Sequence, residues 1–176
     1  MTIEISLINI TYNNGKFFAS PEYISEITYS IKQTLSKLSS DSSTVELTPE
    51  LLSVEEDLDL VKICYWSPIK FDEIRYGLAE LYIEESNKAL SRSQRDSISR
   101  IKRYIEKFEP FYIDKLIGPR FTIEEFYKLH SFSSAKPMDK SNFYKFLKKT
   151  GLIIKTEERK TTVSHRPPAL FEFRKD

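Results

Sequence analysis

An α+β fold is the class this sequence predicts, and three observations predict it. An alternating apolar stretch with Asn-Asn-Gly turn chemistry opens the chain, helical periodicity runs through its middle, and two short capped helices near its end are followed by two strand-like runs around a basic loop. The expected division is a small α/β N-terminal part over residues 1–68, a helical connector over 69–117 and a C-terminal winged helix-turn-helix over 118–176.

Taken in order, Ile3 to Ala19 reads as a β-hairpin, with ISLINITY as the first strand, Asn13, Asn14 and Gly15 as the turn and KFFA as the return. Pro21 suits the first turn of a helix, and Ile24, Ile27, Ile31, Leu35 and Leu38 recur at helical spacing up to the serine-rich stretch Ser39 to Ser43. Thr44 to Leu47 and Leu60 to Trp66 are strand candidates on either side of the acidic segment Glu50 to Asp59, which reads as a solvated loop. From Phe71 the pattern turns helical, with Phe71, Ile74, Leu78, Leu81 and Leu90 on one side. SRSQRDS marks a break or turn, and a second run aligns Ile98, Ile101 and Ile105. That run carries Arg95, Arg100, Lys102, Arg103 and Lys107, either phosphate contacts or a solvated face. Phe108 to Gly118, interrupted by Pro110, reads as a short linker.

The C-terminal elements are specified more sharply. Thr122 followed by Glu125 matches a capping box, in which the threonine oxygen accepts the N–H three residues on and the glutamate reaches back. Ile123, Phe126 and Leu129 then form a buried face, and Ser131, Ser133, Ser134 and Pro137 end the helix. Asp139 is an N-cap for a second helix, Lys140 to Thr150, with Phe143, Phe146 and Leu147 inward and Gly151 at the left-handed C′ position. LIIKT is strand-like, EERKTTVSHR a polar loop and PALFEF a second strand. Helix, turn, helix, strand, loop, strand is a helix-turn-helix with a wing.

Docked on a duplex, the second helix of such a unit enters the major groove. Its polar residues are Lys140, Ser141, Asn142, Lys145, Lys148 and Lys149, with Asn142 suited to an adenine edge and the lysines to phosphates. Arg159, Lys160, His165 and Arg166 fall in the wing loop as further nucleic-acid contacts. Charge supports this placement. Residues 1–117 hold 14 Lys and Arg against 19 Asp and Glu, net −5, whereas 118–176 hold 13 against 7, net +6.

FTIEEFYKLH, PMDKSNFYKFLKKTGLI and HRPPALFEFR together resemble the C-terminal winged-helix domain of Nudix-related transcriptional regulators, over the last third of the chain. Asp139, Asn142, Phe143, Gly151, Leu152, Arg166, Pro167, Ala169 and Phe173 carry the resemblance, with Pro168 as an insertion; Ser141 and Tyr144 stand where the family usually has basic residues. The resemblance implies a non-enzymatic DNA-binding regulator whose N-terminal part is either a degenerate remnant of a Nudix fold or unrelated to it. A catalytic Nudix box needs a glycine-led turn and a helix of glutamates to hold a divalent ion at a pyrophosphate, and none of Gly15, Gly77, Gly118 and Gly151 opens one.

Other chemistry fails on inventory. His130 and His165 are the only histidines, without partners at metal-ligand spacing, and are expected as a helix C-cap and a phosphate contact. Cys64, the single cysteine, lies in an apolar run and is expected to be buried and inert. No cofactor, metal or catalytic residue is expected. Without a signal peptide or transmembrane run, the expected location is cytoplasmic and the expected partners are duplex DNA and a second copy of the chain. The alternative is a protein- or RNA-interaction subunit of an assembly or defence system, using the winged helix as a docking module.

Overall fold

The computed structural model describes residues 2–27, 30–43, 47–57, 60–74, 77–160 and 167–174. The chain forms two compact units, Met1–Ile101 and Lys102–Asp176. The observed class is α+β, with a mixed sheet in the first unit and a winged helix in the second.

The first unit is built on β1 (Thr2–Asn13). Ile5, Leu7 and Asn9 point to one face and Ser6, Ile8 and Ile10 to the other, and all six are fully buried, so both faces are covered. β2 (Lys16–Ala19) returns antiparallel through Asn14 and Gly15, whose φ values of 48° and 83° are the two positive values a type I′ hairpin requires. β5 (Leu60–Pro68) runs parallel to β1 from Thr2↔Leu60 to Ile10↔Pro68. Cys64 lies within it, fully buried.

Three expected features of this unit are corrected. The helix expected from Pro21 starts instead at Ile31. β3 (Tyr23–Glu26) pairs antiparallel with the N-terminal half of β1, and α1 (Ile31–Ser42) follows, with the Ser30 hydroxyl accepting from the Gln33 N–H at 3.2 Å. Ile24 and Ile31, which suggested one continuous apolar face, are both exposed. The acidic segment is no loop over Glu50–Asp57. It forms β4, an edge strand paired with β5, because the run Leu51 to Val54 between Glu50 and Glu55 suits extended backbone and an edge tolerates charge. The helix expected from Phe71 to Leu90 is not an α-helix among the described residues. Two 3-10 turns, Phe71–Glu73 and Ala79–Leu81, flank Gly77, whose φ of 82° no right-handed helix admits, and β6 (Ile83–Glu84) then joins the free side of β2. Thr44 and its two successors lie outside the described residues, and Leu47 is buried but not in a strand.

SRSQRDS is also reassigned, because it opens a helix rather than breaking one. Ser91 and Gln94 form a reciprocal cap: the Gln94 N–H donates to the serine Oγ at 3.1 Å, and the Ser91 N–H donates to Gln94 Oε1 at 2.7 Å. α2 (Arg92–Glu106) follows, with Ile98, Ile101 and Ile105 all buried as expected. Within the first unit, Gln94 Nε2 donates to the Ser20 carbonyl at 2.6 Å and Arg100 to the Leu51 carbonyl at 2.9 Å, giving Arg100 a structural partner.

In the second unit the expected linker is a helix, α3 (Pro110–Ile117), because Pro110 occupies a first-turn position where a missing N–H costs nothing. Ile113 and Leu116 supply its buried face. α4 (Ile123–Ser133) and α5 (Lys140–Thr150) lie where the caps place them, and β7 (Ile153–Arg159) and β8 (Ala169–Phe173) form the wing hairpin. The first strand outlasts its expected end, so Glu157, Glu158 and Arg159 are strand residues and Arg159 pairs with Ala169 rather than lying in the loop. No helix among the described residues is long and apolar enough to cross a membrane.

Candidate nucleic-acid interface

The core beneath α5 is largely aromatic. Phe121, Phe126 and Phe143 are fully buried, with Phe126 edge-on to Phe143 at 5.2 Å and to Phe121 at 5.3 Å, and Phe173 of β8 reaches Phe126 at 5.5 Å. Offset and edge-on rings each add roughly 0.5–1.5 kcal/mol beyond the area they bury. Phe108 joins this core from beyond α2 in the left-handed region, φ 60°, a conformation costing a non-glycine residue about 1–2 kcal/mol. Its ring, 4.7 Å from both His130 and Phe146, compensates that cost with packing.

His130 is part of this core rather than a side-chain cap. Its backbone carbonyl takes the Ser134 N–H that ends α4, while the buried ring stacks on Phe108 and Nδ1 has no hydrogen-bond partner among the described residues. Burial lowers the imidazole pKa below its ordinary value, and Glu106 offsets only part of that. The native state therefore holds the ring neutral. Its contribution to stability is present above about pH 6.5, the ordinary histidine value, and is lost as pH falls through the window down to the lowered native value. Urea unfolding followed by circular dichroism at pH 8 and pH 5.5 is expected to show a larger loss for wild type than for His130→Phe. Equal losses would exclude the ring as the source.

Burial of Phe143 and Leu147, with Phe146 beside them against Phe108, turns the polar side of α5 outward, so Ser141, Asn142, Lys145, Lys148 and Lys149 are all exposed. The local sequence sets this orientation. Asp139 caps the helix by accepting the Asn142 N–H at 3.0 Å, and Gly151, at φ 61°, ends it on the Leu147 carbonyl. The Asn142 side-chain amide also donates to Asp139, leaving its carbonyl and second N–H outward.

The cations differ in what holds them. Lys140 pairs with Glu124 and Lys160 with Glu125, both in the first turn of α4. Lys140 draws the Glu124 carboxyl below its usual range. For Glu125, burial pushes upward, but Lys160 and the Thr122 hydroxyl and N–H outweigh it and the net shift is down. Lys145, Lys148 and Lys149 have no ion pair among the described residues; Lys148 Nζ lies 5.6 Å from the centre of the Tyr144 ring. Arg159 is exposed on β7, and Arg120, between α3 and α4, ties the hairpin to that connection through Glu158. His165 and Arg166 lie outside the described residues. The structure thus brings the α5 residues onto one helix and sets Lys160 against the capping box of α4. Tyr144, which with Ser141 departs from the basic residues usual in the family, shares the outward side, as the helical spacing that buries Phe143 and Leu147 requires.

Two capped helices on an aromatic core, a basic second helix and a two-stranded wing define a winged-helix module. Residues 114–173 match the family model of the NrtR DNA-binding winged helix domain. The whole chain is similar in fold to Shewanella oneidensis NrtR complexed with a 27mer DNA, with a TM-score of 0.73 and 15% identity over 98% of this chain and 93% of that one. It is similar to Shewanella oneidensis NrtR alone at TM-score 0.70, 15% identity, 98% and 94% coverage. A MutT/nudix family protein from Enterococcus faecalis shares the fold at TM-score 0.63, 13% identity, 98% and 86% coverage. No curated protein matches the chain.

Proposed function

We propose that the chain is a non-enzymatic, DNA-binding transcriptional regulator of the cytoplasm that grips duplex DNA through α5 and the wing and works as a dimer. The match of residues 114–173 to a DNA-binding winged helix domain carries this reading. The unpaired lysines of α5 support it, because they lie on the helix such modules insert into the major groove. The Shewanella protein of like fold was crystallised with DNA, in keeping with the same partner. Two copies on paired half-sites would supply the affinity and register that one short helix lacks.

In this reading Lys145, Lys148, Lys149 and Arg159, together with His165 and Arg166, contact phosphates. Ser141 and Asn142 face bases, and Lys140 and Lys160 exchange their glutamates for phosphates on binding. Fluorescence anisotropy with labelled duplex over a salt series tests the whole reading. A steep linear fall of log affinity with log salt is expected. Salt-insensitive binding, or none, would transfer the module to a protein-docking role.

Asn142→Ala carries a sharper expectation. If the amide reads an adenine edge, the variant loses about 1–3 kcal/mol on the preferred duplex and relaxes preference at one base pair. Selection from a randomised duplex library that returned the wild-type consensus at every position would reject that role.

A further inference from the structure

We infer that Tyr144 is a specificity-determining residue that reads the 5-methyl group of a thymine in the major groove, an inference resting on the DNA-binding reading above. The side chain is 44% exposed on α5, while its neighbour Phe143 and the next helical position inward, Leu147, are buried. The outward residues around it are otherwise polar: Ser141 lies one turn back, Lys145 follows directly, and Lys148 lies one turn on. Tyr144 is therefore the large apolar group on a helix side whose other members suit phosphates and base edges.

The ring is partly held in place. Lys148 Nζ lies 5.6 Å from its centroid, within the range of a cation–π contact, so the cation and the ring orient each other. An exposed aromatic ring beside unpaired lysines on a soluble helix has one apolar counterpart in the major groove, because only thymine presents a methyl group there. Charge complementarity between the lysines and the phosphates brings that groove to the ring.

The test uses the full chain and a duplex selected by it from a randomised library. Each thymine is replaced in turn by deoxyuridine, which removes the methyl group and leaves every hydrogen-bonding group in place. One such replacement is expected to weaken wild-type binding about fourfold, the equivalent of one methyl group withdrawn from water. Tyr144→Ala is expected to be indifferent to that replacement, and Tyr144→Phe to keep the response. Lys145→Gln, which weakens binding by loss of charge alone, should also keep it. Circular dichroism establishes that each variant is folded. A Tyr144→Ala protein with the same uracil response as wild type, or a selected consensus in which no thymine matters, overturns the inference while leaving DNA binding intact. Absence of salt-dependent duplex binding by wild type overturns both.

Discussion

Truncating Phe143 to alanine is expected to cost the C-terminal unit about 3–5 kcal/mol, the usual range for removing a fully buried phenylalanine. The ring has Phe126 at 5.2 Å, His130 at 5.2 Å, Tyr127 at 5.5 Å and Phe108 at 6.0 Å, so its loss leaves a cavity with aromatic walls on several sides. Large flat rings collapse poorly into such a gap. A domain of this size holds only about 5–10 kcal/mol of stability, so the variant gives up about half of it, and α5 and DNA binding should be lost together at a correspondingly lower urea concentration. Phe143→Leu, which keeps most of the volume, should cost less than about 1.5 kcal/mol and retain binding. Urea unfolding by circular dichroism measures both, and a loss below about 1 kcal/mol for the alanine variant would mean that this ring does not anchor the helix.

Replacing Lys145, Lys148 and Lys149 together with glutamine is expected to flatten the salt dependence of duplex binding by nearly three units, about 0.9 for each phosphate contact removed. Between about 50 and 200 mM salt, the wild-type advantage over the triple variant should then shrink about forty-fold. Lys140 and Lys160 behave differently, because each must leave a carboxylate before it can neutralise a phosphate. Lys140→Gln should change the slope by less than any of the three unpaired lysines. A triple variant with an unaltered slope would remove α5 from the phosphate-binding surface.

The C-terminal unit was legible in the sequence because its signals are local. Thr122 with Glu125, Asp139 and Gly151 each act within a few residues, and each appears in the structure in the capping role read from the sequence. The first unit was less legible because pairing partners distant in sequence decide its elements. Tyr23 to Glu26 becomes strand because β1 offers unpaired backbone beside it, which no helical wheel records. Glu50 to Asp57 looked too acidic for a sheet, yet it pairs with β5 on one side only. Pro110 looked like an interruption and instead opens α3, since its meaning depends on whether it precedes or lies within a helix. At the candidate interface, side-chain identity was readable, but the ion pairs that distinguish Lys140 and Lys160 from the other lysines depend on how α4 packs beside α5 and the wing.

The acidic edge strand β4 also bears on how the chain behaves in concentrated solution. Leu51 and Val54 are 51% and 52% exposed on a strand with one open side, the arrangement that invites a second chain to add itself and start an aggregate. Three features oppose this. A bulge between Leu51 and Ser53 breaks the register, Arg100 occupies the Leu51 carbonyl, and the exposed Glu55 sets a like charge against any identical strand that approaches. Glu55, one of the carboxylates that made this segment look like a loop, therefore acts as a gatekeeper, and a neutral residue in its place would give the protein a stickier edge.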